Sequence, residues 1–188
     1  MNLEEIEKLT IEYGEDRGIT HCRRLFKLIE MIGCDLAYSE ENLQYAVFLH
    51  DWGAYKKYIQ AGVDHAFRSA QVAREEILPQ TDLSAEAVSI ILEAIELHDY
   101  RNKLPVVSNE ALLLREADFL DFLGVIGVAR ELVRGGNNIQ PALQQVKKRK
   151  EYIQDRFTLP AAKEIARQRI KEMDEFIRLL EQEGFGYL

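Results

Sequence analysis

Residues 39–53 read Ser39-Glu40-Glu41-Asn42-Leu43-Gln44-Tyr45-Ala46-Val47-Phe48-Leu49-His50-Asp51-Trp52-Gly53. Ser39 can accept the first free backbone N–H groups of a helix, Leu43, Ala46 and Val47 recur at helical spacing, and Gly53 can end the segment. The stretch therefore predicts a helix that delivers His50, followed at once by a carboxylate, to its C-terminal end. The same pattern extends to either side. After Thr20, the apolar residues Leu25, Leu28, Ile29 and Ile32 repeat at three and four until Gly33. Asp64 can cap a helix with a buried stripe of Phe67, Ala70, Ala73 and Ile77 that Pro79 stops. Ser84 opens another through Val88, Ile91, Leu92 and Ile95 to His98. Each of these helices carries a histidine. From Ser108 to about Leu132 the pattern predicts one long helix, with Leu114, Asp118, Phe122 and Val125 four, four and three residues apart, so that Asp118 sits among core-facing neighbours. Gly135, Gly136, Asn137 and Asn138 break it, and two helices follow over 141–156 and 160–182. No strand-like alternation persists, and the fold class is all-α. The expected organisation is a helical domain over 1–134 and C-terminal helices over 135–188, packed on it as a cap or serving as a dimer element.

Composition narrows the functions this bundle can serve. The chain has 188 residues, 47% of them hydrophobic and 30% charged, enough for a real core and unlike a disordered segment. A formal net charge of −8 argues against a face built for long nucleic acid, whereas a small anionic substrate needs only a favourable local field in a cleft. Cys22 and Cys34 fall outside any metal-ligand spacing and read as two reduced thiols, so a cytoplasmic location is expected. The acidic N-terminal stretch lacks the basic and apolar regions of a signal peptide. The most apolar run, near Leu120 to Val128, is interrupted by Asp121, Gly124 and Gly127, so no membrane span is expected.

A His-Asp dipeptide alone decides little, and the chain has two, His50-Asp51 and His98-Asp99. The ordered set is more specific: His21, then His50-Asp51 after Ala46-Val47-Phe48-Leu49, then His65, His98, and Asp118 within Glu116-Ala117-Asp118-Phe119-Leu120-Asp121. This order resembles the HD-domain superfamily of metal-dependent phosphohydrolases, over about residues 18 to 132. Asp64-His65-Ala66-Phe67-Arg68-Ser69-Ala70 and the segment Ala117 to Gly124 look like its branch of small stand-alone bacterial hydrolases, some of which cleave nucleotides. The resemblance implies a helical bundle with His21, His50, Asp51 and Asp118 as ligands of one divalent metal. It leaves the substrate open.

Imidazole and carboxylate together suit Mn, Fe, Co, Ni or Zn, with Mg also open, and four ligands leave positions for water and a phosphoryl oxygen. The expected activity is hydrolysis of a phosphoester or phosphoanhydride in a small molecule, with a nucleotide as the favoured substrate. His65 and His98 then have two readings. In the first, they line the cleft, bind phosphate or protonate the leaving oxygen, and count with Asp51 as catalytic residues. In the second, they hold a second metal, as in the dinuclear branches of the superfamily, including its di-iron oxygenases. The phosphate holders are expected among Lys56, Lys57, Arg68 and Arg101, with Lys56, Arg68 and Arg101 preferred. Asp121 reads as a supporting carboxylate, Asp99 as something other than the motif aspartate, and an ion pair of Asp118 with Arg115 is the structural alternative to ligation. Ala54 stands where many relatives place a lysine, histidine or glutamate, which leaves the general acid or base unassigned. A third class of function, a non-catalytic ligand-sensing module, is disfavoured by the intact ligand set. A homodimer is an open option.

Overall fold

A computed structural model describes all residues, 1–188, as eight α-helices and no strand. Two compact units divide the chain, Met1–Arg115 and Glu116–Leu188, and the division falls within the fifth helix. In the first unit, α1 (Leu3–Ile32) packs on α2 (Glu40–Leu49), α2 on α4 (Ala85–Leu97), and α4 on α3 (His65–Val72). Its core is built from Ile6, Leu25, Leu28, Leu43, Ala46, Val47, Leu49, Ile91 and Ile95, with Leu113 and Leu114 of α5 (Asn109–Asp121).

The expected caps form. Ser39 accepts the Asn42 amide, Asp64 those of Ala66 and Phe67, and Ser84 that of Ala87, each satisfying N–H groups that the helix leaves unpaired. Helix α1 begins well before the predicted segment, because Asn2 and Glu5 make a reciprocal capping box at its N-terminus. It runs to Ile32 through a kink at Glu15, where φ is 54° and ψ is −164°.

Two expectations need correction. The long helix over 108–132 is two helices, α5 and α6 (Gly124–Gly135), because the chain turns after Asp121 and Gly124 adopts a φ of 76° that a side-chain-bearing residue resists. The predicted apolar stripe accordingly fails at Val125, which is 44% exposed. Phe67, placed in the buried stripe of α3, is also exposed. The face of α3 that packs inward carries Ala66, Ser69 and Ala70. Beyond Val72 this helix widens into a π turn, Ala73–Ile77, and ends in a 3-10 turn at Leu78–Gln80.

The second unit places α6 against both α7 (Ile139–Ile153) and α8 (Pro160–Glu183) around Leu120, Val128, Leu143, Val146, Met173 and Ile177. Glu116 ties the loop between α7 and α8 to α5. Its carboxylate accepts the Thr158 amide and hydroxyl, both at 2.6 Å, and the Leu159 amide at 3.2 Å. Burial pushes the Glu116 carboxyl above its ordinary range in spite of these bonds. No helix is long and apolar enough to cross a membrane.

Candidate metal centre

The four histidines and Asp51 converge in the first unit. His21 lies on the second half of α1, His50 and His98 are the residues that end α2 and α4, and His65 is the first residue of α3. Asp51 stands at the hub, with its carboxylate 3.9 Å from His21 Nε2, 3.7 Å from His50 Nε2, 3.4 Å from His65 Nε2 and 4.0 Å from His98 Nε2. The imidazoles also meet one another. His21 and His50 approach to 3.1 Å between their Nε2 atoms, and His65 and His98 to 3.3 Å. His21, His50 and Asp51 present ligand atoms within 4.8 Å of one another, and Asp51, His65 and His98 form a second such triad sharing the same carboxylate. Either triad could hold one ion.

The bonds at the far side of two rings show why these donors suit a cation. His50 Nδ1 is 2.7 Å from the Val47 carbonyl oxygen, and His98 Nδ1 is 2.6 Å from that of Ile95. A carbonyl can only accept, so in each neutral ring Nδ1 carries the proton and Nε2 turns a bare lone pair toward Asp51. The accepting oxygens belong to last-turn carbonyls that a helix leaves unpaired, and the negative ends of α2 and α4 favour positive charge at the same place. Burial alone would raise the Asp51 carboxyl, but the positive field that His50, His21, His65 and His98 exert when protonated outweighs it and lowers the group below the usual carboxylate range.

Residues around the motif fix this arrangement. Trp52 is fully buried, and its indole N–H donates to the Thr10 hydroxyl at 3.1 Å, anchoring the turn to α1. Gly53 begins a close approach to α3 and donates its amide to the Ser69 hydroxyl at 2.8 Å. Arg115 donates to the Leu97 and Leu104 carbonyls and so pins the segment that follows His98. Cys22, next to His21 in the chain, has its thiol pushed above its ordinary range by burial.

The proposed cations are differently placed. Lys56 is exposed and 3.5 Å from Glu15, and Lys57 lies over the Tyr13 ring. Arg68 donates to the Tyr58 carbonyl and to Gln71. Arg101 is gripped by Asp99 at 2.8 and 3.0 Å and by Asp64 at 2.8 Å, and it reaches His65 Nδ1 at 3.1 Å. The paired aspartates stabilise its charge, while its bonds hold the Asp99 carboxyl low against the opposing effect of burial. Sequence reasoning missed both aspartate partners of Arg101: Asp99 lies two residues before it and was open to a local reading, whereas no spacing rule could have paired it with Asp64, 37 residues away. Asp118 is buried on α5 in the second unit, and Asp121 is paired there with Arg130.

The model of the HD domain matches residues 18–123. The chain belongs to the HD-domain family. Several solved structures share its fold. A predicted HD superfamily hydrolase from an uncultured Thermotogales bacterium is 21% identical, with 96% of this chain and 90% of that one covered and a TM-score of 0.64. An HD-superfamily hydrolase of Bacillus thuringiensis is 23% identical, with coverage of 96% and 95% and a TM-score of 0.66. YpgQ of Bacillus subtilis, solved in complex with ADP, is 20% identical, with coverage of 96% and 94% and a TM-score of 0.72. No curated protein matches the sequence significantly. The matched segment contains all four histidines together with Asp51 and Asp118, so the HD domain of this chain carries its candidate metal cluster.

Proposed function

We propose that this HD-domain protein is a metal-dependent phosphohydrolase acting on a small phosphorylated molecule, with a nucleotide as its substrate. The observation that carries the reading is the convergence of His21, His50 and Asp51, with His50 presenting a bare Nε2 because the Val47 carbonyl holds its other proton. Asp118 is the proposed fourth ligand. The bound ADP of YpgQ and the net charge of −8, unfavourable for long nucleic acid, support a small nucleotide.

A divalent ion of the Mn, Fe, Co, Ni or Zn group, or Mg, would make water more acidic at this centre and stabilise charge gathering on phosphoryl oxygens. The chain's own contribution is orientation. Asp51 stays ionised and within reach of four imidazoles, so it can bind a cation and accept a hydrogen bond from water at once. His65 and His98 face the same carboxylate and are proposed to contact the phosphoryl group or the leaving oxygen, with Lys56, Arg68 and Arg101 supplying positive charge around it.

The second triad, Asp51, His65 and His98, favours one other reading, a dinuclear centre of the oxygenase type. Metal analysis combined with two assays separates them. Phosphate or pyrophosphate release across a nucleotide panel supports the hydrolase. Two irons per chain with substrate-dependent oxygen consumption would replace it with the oxygenase. Ligand binding without turnover in either assay would leave a sensing module.

A further inference from the structure

His65 is set up differently from the other histidines whose far nitrogens are resolved. His50 and His98 donate from Nδ1 to backbone carbonyls, whereas His65 Nδ1 faces Nη2 of Arg101 at 3.1 Å. A guanidinium has only donors and keeps its charge, so a proton on His65 Nδ1 would set two donors against each other. Neutral His65 must then carry its proton on Nε2, the nitrogen that points inward. Its neighbours there are all able to accept: His98 Nε2 at 3.3 Å, Asp51 Oδ1 at 3.4 Å and Asp99 Oδ2 at 3.6 Å. The bonds run in one direction, from Arg101 to His65, from His65 to His98, and from His98 to the Ile95 carbonyl.

Arg101 is held for this task. Asp99 accepts its backbone amide at 2.7 Å, its Nε at 2.8 Å and its Nη2 at 3.0 Å, and Asp64 accepts Nη2 at 2.8 Å. Nη2 has two hydrogens for three acceptors, so one is shared, but the positive edge opposes a proton on His65 Nδ1 however they divide. Asp64 also caps α3 and thereby fixes the first residue of that helix, His65 itself.

We infer that Arg101 is a positioning residue that holds His65 in its Nε2–H form, making His65 a hydrogen-bond donor to a phosphoryl oxygen rather than a ligand of a second metal ion. The donor role rests on the hydrolase reading above, but the positioning does not. The second triad has the spacing of a metal site and the wrong proton on one of its three members.

The test uses metal-free full-length protein labelled with 15N in histidine, under conditions where the imidazoles are neutral, with His65 assigned by a His65→Gln variant. Long-range 1H–15N correlation is expected to show a proton on His65 Nε2 and a hydrogen-bonded, unprotonated Nδ1. In Arg101→Met the Nδ1 resonance loses the displacement that the accepted bond produces. Calorimetric titration with Mn2+ is expected to give one tight site per wild-type chain, and Arg101→Met is expected to strengthen a second site by about 10–100-fold. Adding His65→Ala should abolish that gain. A wild-type His65 protonated on Nδ1 would overturn the inference, and that measurement needs no variant of Arg101. Equal second-site affinity in wild type and Arg101→Met would overturn it too. An Nε2–H form in a protein that releases neither phosphate nor pyrophosphate from any nucleotide would refute the hydrolase reading while supporting the positioning role.

Discussion

Replacing Gly53 with alanine tests how the centre is assembled. A Cβ at this position would lie 2.3 Å from the His65 carbonyl oxygen, 2.6 Å from the Ser69 amide nitrogen and 2.8 Å from Arg68 Cβ. Two of these atoms are backbone of α3, so no side-chain rotation relieves the contact. Ordinary contact begins near 3.4 Å, and the 52–54 turn must therefore separate from α3 by about 1 Å. That movement stretches the 2.8 Å bond from the Gly53 amide to the Ser69 hydroxyl and carries His65 away from Asp51, from which it is 3.4 Å distant. Overpacking costs about 1–3 kcal/mol and the weakened hydrogen bond about 1 kcal/mol more. For a chain of this size each kcal/mol lowers Tm by roughly 2–4 °C, so thermal denaturation should show a fall on the order of 10 °C. A displacement of this size at the reacting groups is expected to reduce phosphate release by about 100-fold, measured well below both melting temperatures. Unchanged Tm together with turnover within about twofold of wild type would show that α3 is not tightly seated on Gly53, and the argument for His65 placement would fail.

Chelation should lower Tm, and Mn2+ at about 100 times its Kd should restore about 2.7 kcal/mol of stability; His50→Ala should abolish the response, and its persistence would move the ion elsewhere. Glu15→Gly should stabilise the protein by about 1 kcal/mol in urea titration, because Glu15 occupies a φ of 54° with ψ −164° that glycine adopts without strain. A loss of stability would show that the kink is held by the glutamate itself. Glu116→Ala should cost about 1–3 kcal/mol and raise hydrogen exchange at the Thr158 and Leu159 amides, which lose their acceptor. Unchanged exchange there would show that the loop is held by packing alone.

Much of the first unit is legible from local chemistry. Ser39, Asp64 and Ser84 are short polar residues ahead of apolar periodicity, and each caps the helix it was expected to cap. The position of His50 and His98 at helix ends follows from the same patterns. The failures share a different cause. Leu114, Asp118, Phe122 and Val125 keep helical spacing straight across a real break, so periodicity cannot report that Gly124 turns the chain. Phe67 keeps the stripe spacing of Ala70, Ala73 and Ile77, yet the inward face of α3 carries the small residues Ala66, Ser69 and Ala70 and leaves Phe67 exposed. The capping box of Asn2 and Glu5, by contrast, is a local signal carried by residues three apart in the sequence. The network joining Asp64, His65, Asp99 and Arg101 was not readable, since it depends on tertiary placement of segments more than thirty residues apart.

The two His-Asp dipeptides show how far local sequence determines chemistry. His50 and His98 end their helices in the same conformation, with backbone angles of −59° and −31° in one and −70° and −34° in the other. Each donates from Nδ1 to the carbonyl three residues earlier. To this point the dipeptides are equivalent, and the helix end alone accounts for the form of both rings. They diverge at the aspartate. Asp51 is followed by Trp52 and Gly53, which bind the turn to α1 and α3 and leave its carboxylate facing four imidazoles. Asp99 is followed two residues later by Arg101, whose backbone and side chain both claim its carboxylate. Charge compensation thus comes from a cluster of titratable or metal-binding rings for one aspartate and from a permanent cation for the other. On this reasoning an Arg101→Met substitution makes the second dipeptide more like the first.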